Sequence, residues 1–333
     1  MTAVSRAVVL RGVGDVSVLH LEEVERPAAG VGEVLVEIAA AGLNRADLGQ
    51  RRGVYPAPPG SPADIPGLEF AGTVVELGPG AHEFKLGDRV MGIAGGGAMA
   101  THLACHERLL CRVPTGFDLV TAAAVPEVFM TCYDALFWQA ELTMGENLLV
   151  HSVGSGVGTA AVQLAARAGA RAVGSSRSAD KLERCRSLGL GMADGVLVAG
   201  DGKFADRVRE LTGGRGADVV LDAVGAGYLE ENVQALAPGG RLVIIGLMGG
   251  MSGPLPLGPL MMKRARVIGT VLRSRPLEEK ARLTQAFARH VVPLLADGRL
   301  VPVVDQVMAM DQVRDAHRRM ESNQNFGKIV LRW

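Results

Sequence analysis

The chain has 333 residues, 48 % hydrophobic and 21 % charged, a composition that fits a globular protein of about two domains and excludes intrinsic disorder. Lysine plus arginine equals aspartate plus glutamate, 35 of each, so no net field draws the chain to nucleic acid or to an anionic membrane; at 4 % aromatics, a stacking platform for single strands is not expected either. The 44 glycines follow no three-residue period, which excludes collagen.

The first ten residues form a short apolar run that carries Arg6, with no signal-peptide core behind it. Short strands are predicted over 34–38 and 73–77, separated by turns such as Gly30-Val31-Gly32, Gly78-Pro79-Gly80 and Gly87-Asp88. They read as an irregular, largely antiparallel β domain. Apolar strand cores then recur at 147–150, 171–174, 196–198, 219–222, 242–245 and 267–270. Their spacing of about 24 residues is the length of a strand plus a crossover helix. Helical faces fill the gaps: Val157, Ala161, Leu164, Ala165 and Ala168; Leu182, Cys185 and Leu188; Phe204, Val208 and Leu211. Six such strands predict a doubly wound parallel sheet in an α/β fold. A long helix is expected from about 276 through 295, a second over 311–320 and a last strand over 328–331. This tail is too short for a domain and is expected to return to the first one. The expected division is 1–123 with 272–333, and 124–271, with a cleft between them.

The four cysteines, Cys105, Cys111, Cys132 and Cys185, include no Cys-x-x-Cys pair and read as free thiols of a reducing cytoplasm. No uninterrupted apolar run of about 20 residues is apparent, so no membrane-spanning helix is expected.

The first strand of the repeating series feeds His151-Ser152-Val153-Gly154-Ser155-Gly156-Val157-Gly158 and then an apolar helix. Strand, glycine-rich turn and helix form a pyrophosphate cradle, in which backbone N–H groups and the helix N-terminus meet the anion. Val153 and Ser155 stand at the first two glycine positions of Gly-x-Gly-x-x-Gly, and Gly158 at the third. The second strand ends Gly174-Ser175-Ser176-Arg177-Ser178, without the acidic residue that holds a ribose 2′-hydroxyl. Ser175, Ser176 and Arg177 suit a 2′-phosphate instead, and hence NADPH. The alternative for Arg177 is a solvated loop charge. Lys181 is a second phosphate candidate, with the solvent face of the next helix as its more ordinary place.

These residues carry a resemblance. Asn44-Arg45-Ala46-Asp47, Gly53-Val54-Tyr55-Pro56, Pro66-Gly67-Leu68-Glu69, Ala124-Val125-Pro126-Glu127, Ser155-Gly156-Val157-Gly158, Gly246-Leu247-Met248-Gly249-Gly250, Leu272-Arg273-Ser274-Arg275 and Asn325-Phe326-Gly327-Lys328 together resemble the zinc-free medium-chain dehydrogenases/reductases. The likeness spans the chain and is strongest to the tumour-suppressor-inducible quinone oxidoreductases, relatives of zeta-crystallin. It implies a GroES-like substrate domain, a Rossmann domain with a six-stranded parallel sheet, NADPH as cofactor, and at least a homodimer.

Zinc-dependent relatives carry Cys at the position of Asn44, His at that of Leu68 and a proton-relaying hydroxyl at that of Ala46. Asn44 is a poor zinc ligand, Leu68 is none, and Glu69 alone does not hold a catalytic zinc. His102 and His106 sit four apart with no third partner. No metal is expected.

The resemblance places Asn44 and Tyr55 with the acceptor, Tyr55 with its hydroxyl toward a carbonyl. The plainer alternatives are an asparagine completing a turn and a tyrosine packed on the proline-rich run. It places Thr131 at the nicotinamide end and leaves Glu127 to cap or brace that helix. Ser152 and Val153, Asp222, Val224 and Gly225, and Gly246, Leu247 and Met248 end strands where ligands bind in open α/β sheets. Asn325, Gly327 and Lys328 precede the last strand and are expected to close over the cofactor. Met248 and Met262 are read as ordinary core. The leading function is zinc-independent hydride transfer from NADPH to a quinone or another small electrophilic acceptor. An enoyl-thioester reductase with Tyr55 as proton donor is the rival enzyme, and a non-catalytic NADPH-binding sensor or structural protein the rival of another class.

Overall fold

The computed structural model describes residues 4–333. The chain divides into two compact units, Met1–Met130 with Leu272–Trp333, and Thr131–Val271.

In the first unit β1 (Val4–Leu10) and β2 (Leu19–Glu25) form an antiparallel ribbon. The main sheet is built on β3 (Glu33–Leu43) and β4 (Glu69–Leu77), antiparallel to each other and longer than the apolar runs 34–38 and 73–77. Val34, Leu35, Val36, Ile38, Ala40, Ala41 and Leu43 are all buried, so β3 is covered on both faces and lacks the polar alternation that would mark its full length. Helix α1 (Arg45–Arg51) leaves the end of β3 directly after Asn44. β5 (Arg89–Ile93), β6 (His102–His106) and β7 (Leu110–Arg112) extend the sheet. Helices α2 (Leu119–Ala122) and α3 (Pro126–Tyr133) follow. The change of unit falls inside α3, after Met130 rather than near Ala123.

The second unit has β8 (Asn147–Val150), β9 (Arg171–Ser176), β10 (Gly195–Leu197), β11 (Ala217–Asp222), β12 (Leu236–Ile244) and β13 (Arg266–Gly269). All pair in parallel, in the order β10-β9-β8-β11-β12-β13, the doubly wound dinucleotide-binding order. Helices α4 (Gly156–Arg167), α5 (Ala179–Cys185), α6 (Ala205–Leu211), α7 (Leu229–Ala235) and α8 (Leu257–Lys263) intervene. Leu149, Val173, Val196, Val220 and Leu242, one from each of five strands, share a single core with Phe204 and Val208.

In the tail, the helix expected over 276–295 is two: α9 (Leu277–His290) and α10 (Val292–Ala296). Pro293 sits in the first turn of α10, lacks an N–H, and ends the preceding helix. β14 (Val304–Ala309), α11 (Val313–Glu321) and β15 (Lys328–Arg332) complete the chain. β15 lies between β14, parallel, and β3, antiparallel, so the tail is part of the first unit's sheet.

One apolar stretch differs from the expectation of no span-length segment. The helical segments over Leu119–Gln139 reach the length and hydropathy, 1.3, of a membrane span. They carry Pro126 and Glu127, and 72 % of the apolar window is buried inside the protein, as in the core helix of a folded domain. All four cysteines are free and buried. Burial pushes the thiols of Cys105, Cys111 and Cys185 up to about 12, and that of Cys132 higher, so none is a ready thiolate.

Candidate active site

The end of β3, the start of β4 and the start of β15 meet at a buried polar cluster. Asn44 is the residue before α1, and its N–H donates to Asp47 Oδ2 at 2.8 Å. Asp47 Oδ1 accepts the Gly67 N–H at 3.0 Å, which ties α1 to the segment that leads into β4. Burial raises the Asp47 carboxyl to about 6, against the pull of these two N–H groups. The Asn44 side chain does not merely complete a turn. Its Nδ2 donates to Glu69 Oε1 at 2.9 Å and to the Gly42 carbonyl at 3.2 Å, and its Oδ1 accepts from Lys328 Nζ at 2.6 Å. Lys328 Nζ also lies 2.5 Å from Glu69 Oε1 and donates to the Leu43 carbonyl at 2.8 Å. Glu69 Oε2 accepts the Glu127 N–H at 2.8 Å. Gly42 is required here, because a Cβ at this position would stand 2.3 Å from Glu69 Oε1.

This cluster tests the zinc question on its donors. The ammonium of Lys328, 3 % exposed, fills the cation's place between Asn44 and Glu69 and makes three contacts there. Leu68 is buried and offers no donor atom. Among the described residues no three His, Cys, Asp or Glu side chains gather as a metal site would need. An amide oxygen, one carboxylate and a lysine do not fit a catalytic zinc. The placement also corrects the expectation for Lys328: its ammonium faces Asn44 and Glu69 rather than a cofactor. Asn325 Nδ2 donates to the Gly327 carbonyl at 2.9 Å, and a Cβ on Gly327 would press on the Val303 carbonyl. Both residues shape the turn into β15.

Tyr55 is half-buried and held by Arg273, which in the sequence stood out only as part of a motif. The Arg273 guanidinium lies 5.2 Å from the centre of the Tyr55 ring and donates to the carbonyls of Tyr55, Pro56 and Gly95 and to Gln50 Oε1. Burial, then the nearby Glu127, raise the Tyr55 hydroxyl above its ordinary value, so it is a protonated donor at neutral pH. Glu127 lies in the first turn of α3, and its Oε2 is buried without a hydrogen-bond partner.

In the second unit the glycine-rich turn is formed as expected, with different atoms exposed. Ser152 adopts a left-handed φ of 50° at the end of β8. Val153 is fully buried and its N–H donates to the Ser175 carbonyl, so it packs under the turn rather than lining a ligand. Ser155 caps α4, its Oγ accepting the Gly158 N–H at 3.0 Å. A Cβ on Gly158 would stand 2.4 Å from the Val153 carbonyl, which is why the third glycine of the motif is kept. The first-turn N–H groups of α4, starting at Gly156 and Val157, have no partner within the helix and are available to an anion.

Ser175 is not a phosphate ligand. Its hydroxyl is 2.6 Å from His151 Nδ1, and His151 Nε2 is 2.6 Å from Asn232 Oδ1. Asn232 Nδ2 donates to Asp222 Oδ2 at 3.0 Å, and the Asp222 carboxylate also accepts the N–H groups of Val224 and Gly225. Burial raises Asp222 to about 6. Asp222 therefore shapes the β11 turn and has no oxygen free for a cofactor hydroxyl. Burial lowers His151 to about 4, so it is a neutral link in this chain of bonds. A lone polar residue between two apolar runs was its only signal in the sequence. Ser176 Oγ accepts the Ser178 N–H at 3.0 Å. Arg177 is exposed just beyond β9 and acts electrostatically on Tyr228. Lys181 is not on a purely solvent face: its methylene stem packs over Gly154, within 2.8 Å of where a Cβ would be. Thr131 and Val224 are half-buried, and Leu247 and Met248 are 46 % and 49 % exposed at the end of β12. Met248 and Met262 are surface residues, not core.

Comparison with known proteins agrees with this architecture. Residues 30–115 match the family described as alcohol dehydrogenase GroES-like domain, and residues 156–289 match zinc-binding dehydrogenase. The erythronolide synthase EryA2 of Saccharopolyspora erythraea is 35 % identical over 93 % of this chain, which spans only 8 % of that protein's length. The quinone oxidoreductase-like protein 2 homolog of Nematostella vectensis is 28 % identical over 91 % of this chain and 82 % of its own. Among solved structures, an NAD-dependent alcohol dehydrogenase superposes with a TM-score of 0.87 at 32 % identity, covering 98 % of this chain and 99 % of that one. The quinone oxidoreductase of Pseudomonas syringae pv. Tomato DC3000 gives 0.88 at 28 % identity, covering 99 % and 100 %. The CurK enoyl reductase gives 0.84 at 25 % identity, covering 98 % and 99 %. Together the two matched domains and the likenesses to solved structures over nearly the full length of both chains make this chain an oxidoreductase of the medium-chain dehydrogenase/reductase superfamily.

Proposed function

We propose that the protein is a zinc-independent NADPH:quinone oxidoreductase. The observation that carries this reading is the Lys328 ammonium between Asn44 and Glu69. Alcohol oxidation of the zinc-dependent kind needs a metal-bound alkoxide, and these residues do not hold the metal. A quinone accepts hydride without that activation. NADPH would supply the hydride, and the orientation of the acceptor falls to the protein. The second unit would hold the pyrophosphate on the N-terminus of α4 and the 2′-phosphate with Arg177 and Lys181. In the first unit the Tyr55 hydroxyl, locked in place by Arg273, would donate a hydrogen bond to the acceptor carbonyl.

A specific observation also favours an enoyl-thioester reductase. The same Tyr55 phenol is poised as a proton donor, and the erythronolide synthase and the CurK enoyl reductase are among the similar proteins. NADPH consumption with a panel of quinones and enoyl-CoA esters separates the two. No turnover with any acceptor would favour a non-catalytic sensor. Tyr55→Phe sharpens the choice: it removes one hydrogen bond, worth about 0.5–1.5 kcal/mol, and should lower quinone turnover by about tenfold or less. A loss of about 10²–10⁴-fold confined to enoyl substrates would show Tyr55 as their general acid and reverse the order.

We further propose a homodimer formed through β13. This strand ends the sheet with an unpaired edge, Val267 on it is 37 % exposed, and Met261 and Met262 of the preceding α8 are 73 % and 75 % exposed. Sedimentation should show a dimer for the wild type and a monomer for Val267→Glu; a monomeric wild type would refute the proposal. Four buried, un-ionised thiols support a reducing compartment such as the cytoplasm. The balanced charge argues against nucleic-acid and membrane partners.

A further inference from the structure

We infer that His151 is a positioning residue for the nicotinamide cofactor: its imidazole ties the ends of β8, β9 and β11 together and so sets the spacing of the three loops that receive the dinucleotide. The inference rests on the reading of the second unit as the cofactor-binding unit and adds a residue to it.

His151 stands just past the carboxyl end of β8, the strand that lies between β9 and β11. Its Nδ1 is 2.6 Å from Ser175 Oγ on β9, and its Nε2 is 2.6 Å from Asn232 Oδ1 on α7. Asn232 Nδ2 donates at 3.0 Å to Oδ2 of Asp222, the last residue of β11. All four side chains are buried, and the bonds can run only one way. The Asp222 carboxyl, raised to about 6, is ionised at neutral pH and only accepts; it also takes the N–H groups of Val224 at 2.6 Å and Gly225 at 3.1 Å. Asn232 must therefore turn its NH2 toward Asp222 and its carbonyl oxygen toward His151. That oxygen requires a proton on Nε2, which leaves Nδ1 to accept the Ser175 hydroxyl. Burial, which lowers the imidazole to about 4, keeps it in this neutral form. The ring is held from its sides as well, in edge-to-face contact with Phe204 and Tyr228, whose centroids are 4.8 and 4.9 Å away.

Each strand-borne member of this chain of bonds precedes a loop at the ligand end of the sheet. His151 is followed by Ser152, whose left-handed φ of 50° opens the glycine-rich turn. Ser175 comes just before Ser176 and Arg177. Asp222 folds the turn at Val224 and Gly225. β9 and β10 lie on one side of β8, and β11, β12 and β13 on the other, so the topological switch point falls between β8 and β11. That is the crevice where dinucleotides bind in such sheets. Backbone bonds follow the same path: the His151 N–H donates to the Leu221 carbonyl at 3.1 Å, and the Val153 N–H to the Ser175 carbonyl at 3.0 Å. A ligand that touches all three loops meets a preformed surface while they are locked together, and must order them when they are not. Both His151 nitrogens are already engaged, so the residue acts on the cofactor only through the loops.

The test is titration of the protein with NADPH and with NADH, read by cofactor fluorescence with no acceptor present. His151→Phe keeps a ring beside Phe204 and Tyr228 but cuts both bonds. It should weaken the two cofactors equally, by about tenfold or more. His151→Gln, whose amide can accept from Ser175 and donate to Asn232, should recover most of that loss. Equal weakening separates His151 from Arg177, whose removal should discriminate NADPH from NADH. Ser175→Ala should weaken both cofactors by about two- to tenfold alone and add nothing in the His151→Phe background, because the hydroxyl acts through the imidazole. Nitrogen chemical shifts of the wild-type imidazole should report the neutral form protonated on Nε2, a readout that needs no variant; with Ser175→Ala it carries the test if His151→Phe does not fold. Affinities unchanged by these variants, a His151→Gln as weak as His151→Phe, a Ser175→Ala loss that adds in full, or a proton on Nδ1 would each overturn the inference while leaving the cofactor reading intact. A wild type that binds neither dinucleotide would overturn both.

Discussion

Replacing Lys328 by methionine is expected to destabilise the protein by about 3–5 kcal/mol, the cost of stranding one member of a buried ion pair. Glu69 is fully buried, with one oxygen on Lys328 and Asn44 and the other on the Glu127 N–H. Methionine matches the length of the lysine stem but brings no charge, so the Glu69 carboxylate would be left with hydrogen bonds and no counter-charge. The Leu43 carbonyl and Asn44 Oδ1 would each lose a donor as well. The double variant Lys328→Met/Glu69→Gln removes the stranded charge and should recover a large part of the loss. Unfolding can be followed in this unit by Trp333 fluorescence in a Trp138→Phe background, since these are the two tryptophans of the chain. A loss below about 1 kcal/mol, the value of a solvent-exposed pair, would show that the cluster is wetter than its geometry implies. A single-variant loss with no recovery in the double variant would point to packing rather than charge.

Arg177→Ala is expected to weaken NADPH binding by about 10–100-fold and to leave NADH nearly unchanged, since a charge-assisted bond to phosphate is worth about 1.5–3 kcal/mol. The hydroxyls that were expected to help are largely committed elsewhere. Ser175 is bonded to His151 and Ser176 to the Ser178 N–H. That leaves two cations, Arg177 beyond β9 and Lys181, whose stem lies over Gly154 of the phosphate-binding turn. Lys181→Ala should therefore weaken NADPH as well, and the double variant should do so by more than either single change. Titrations of both cofactors at fixed salt make the measurement. Equal weakening of NADPH and NADH, or no weakening of either, would remove Arg177 from the 2′-phosphate site.

The parallel sheet was legible because its central strands are buried on both faces and its strands read as compact apolar runs at a regular interval. The strand–turn–helix around 147–167 was legible for a similar reason: only glycine permits the approach at Gly158, and that restriction is written as a residue type. The break at Val291 was not read, because the apolar periodicity on either side of Pro293 suggested one continuous helix. Side-chain roles at strand ends were less legible. Val153, Ser175 and Asp222 occupy positions where ligands bind in such folds, yet a position does not say which atoms remain free. Their partners lie on other elements: His151 takes up Ser175, and Asn232 takes up both His151 and Asp222.

The sequence by itself determined the two-unit α/β architecture, the glycine-rich turn and the lack of a zinc ligand set at Asn44 and Leu68, because each depends on local residue type and spacing. Only the tertiary structure decided what replaces the metal and what holds Tyr55. Lys328 reaches Asn44 across 284 positions, when β15 pairs beside β3. Arg273 reaches the Tyr55 carbonyl across 218. Glu127 comes to this cluster through its N–H on Glu69 Oε2, with its own Oε2 buried and unpartnered. A buried charge takes its meaning from its neighbours in space, and those neighbours come from three distant parts of the chain.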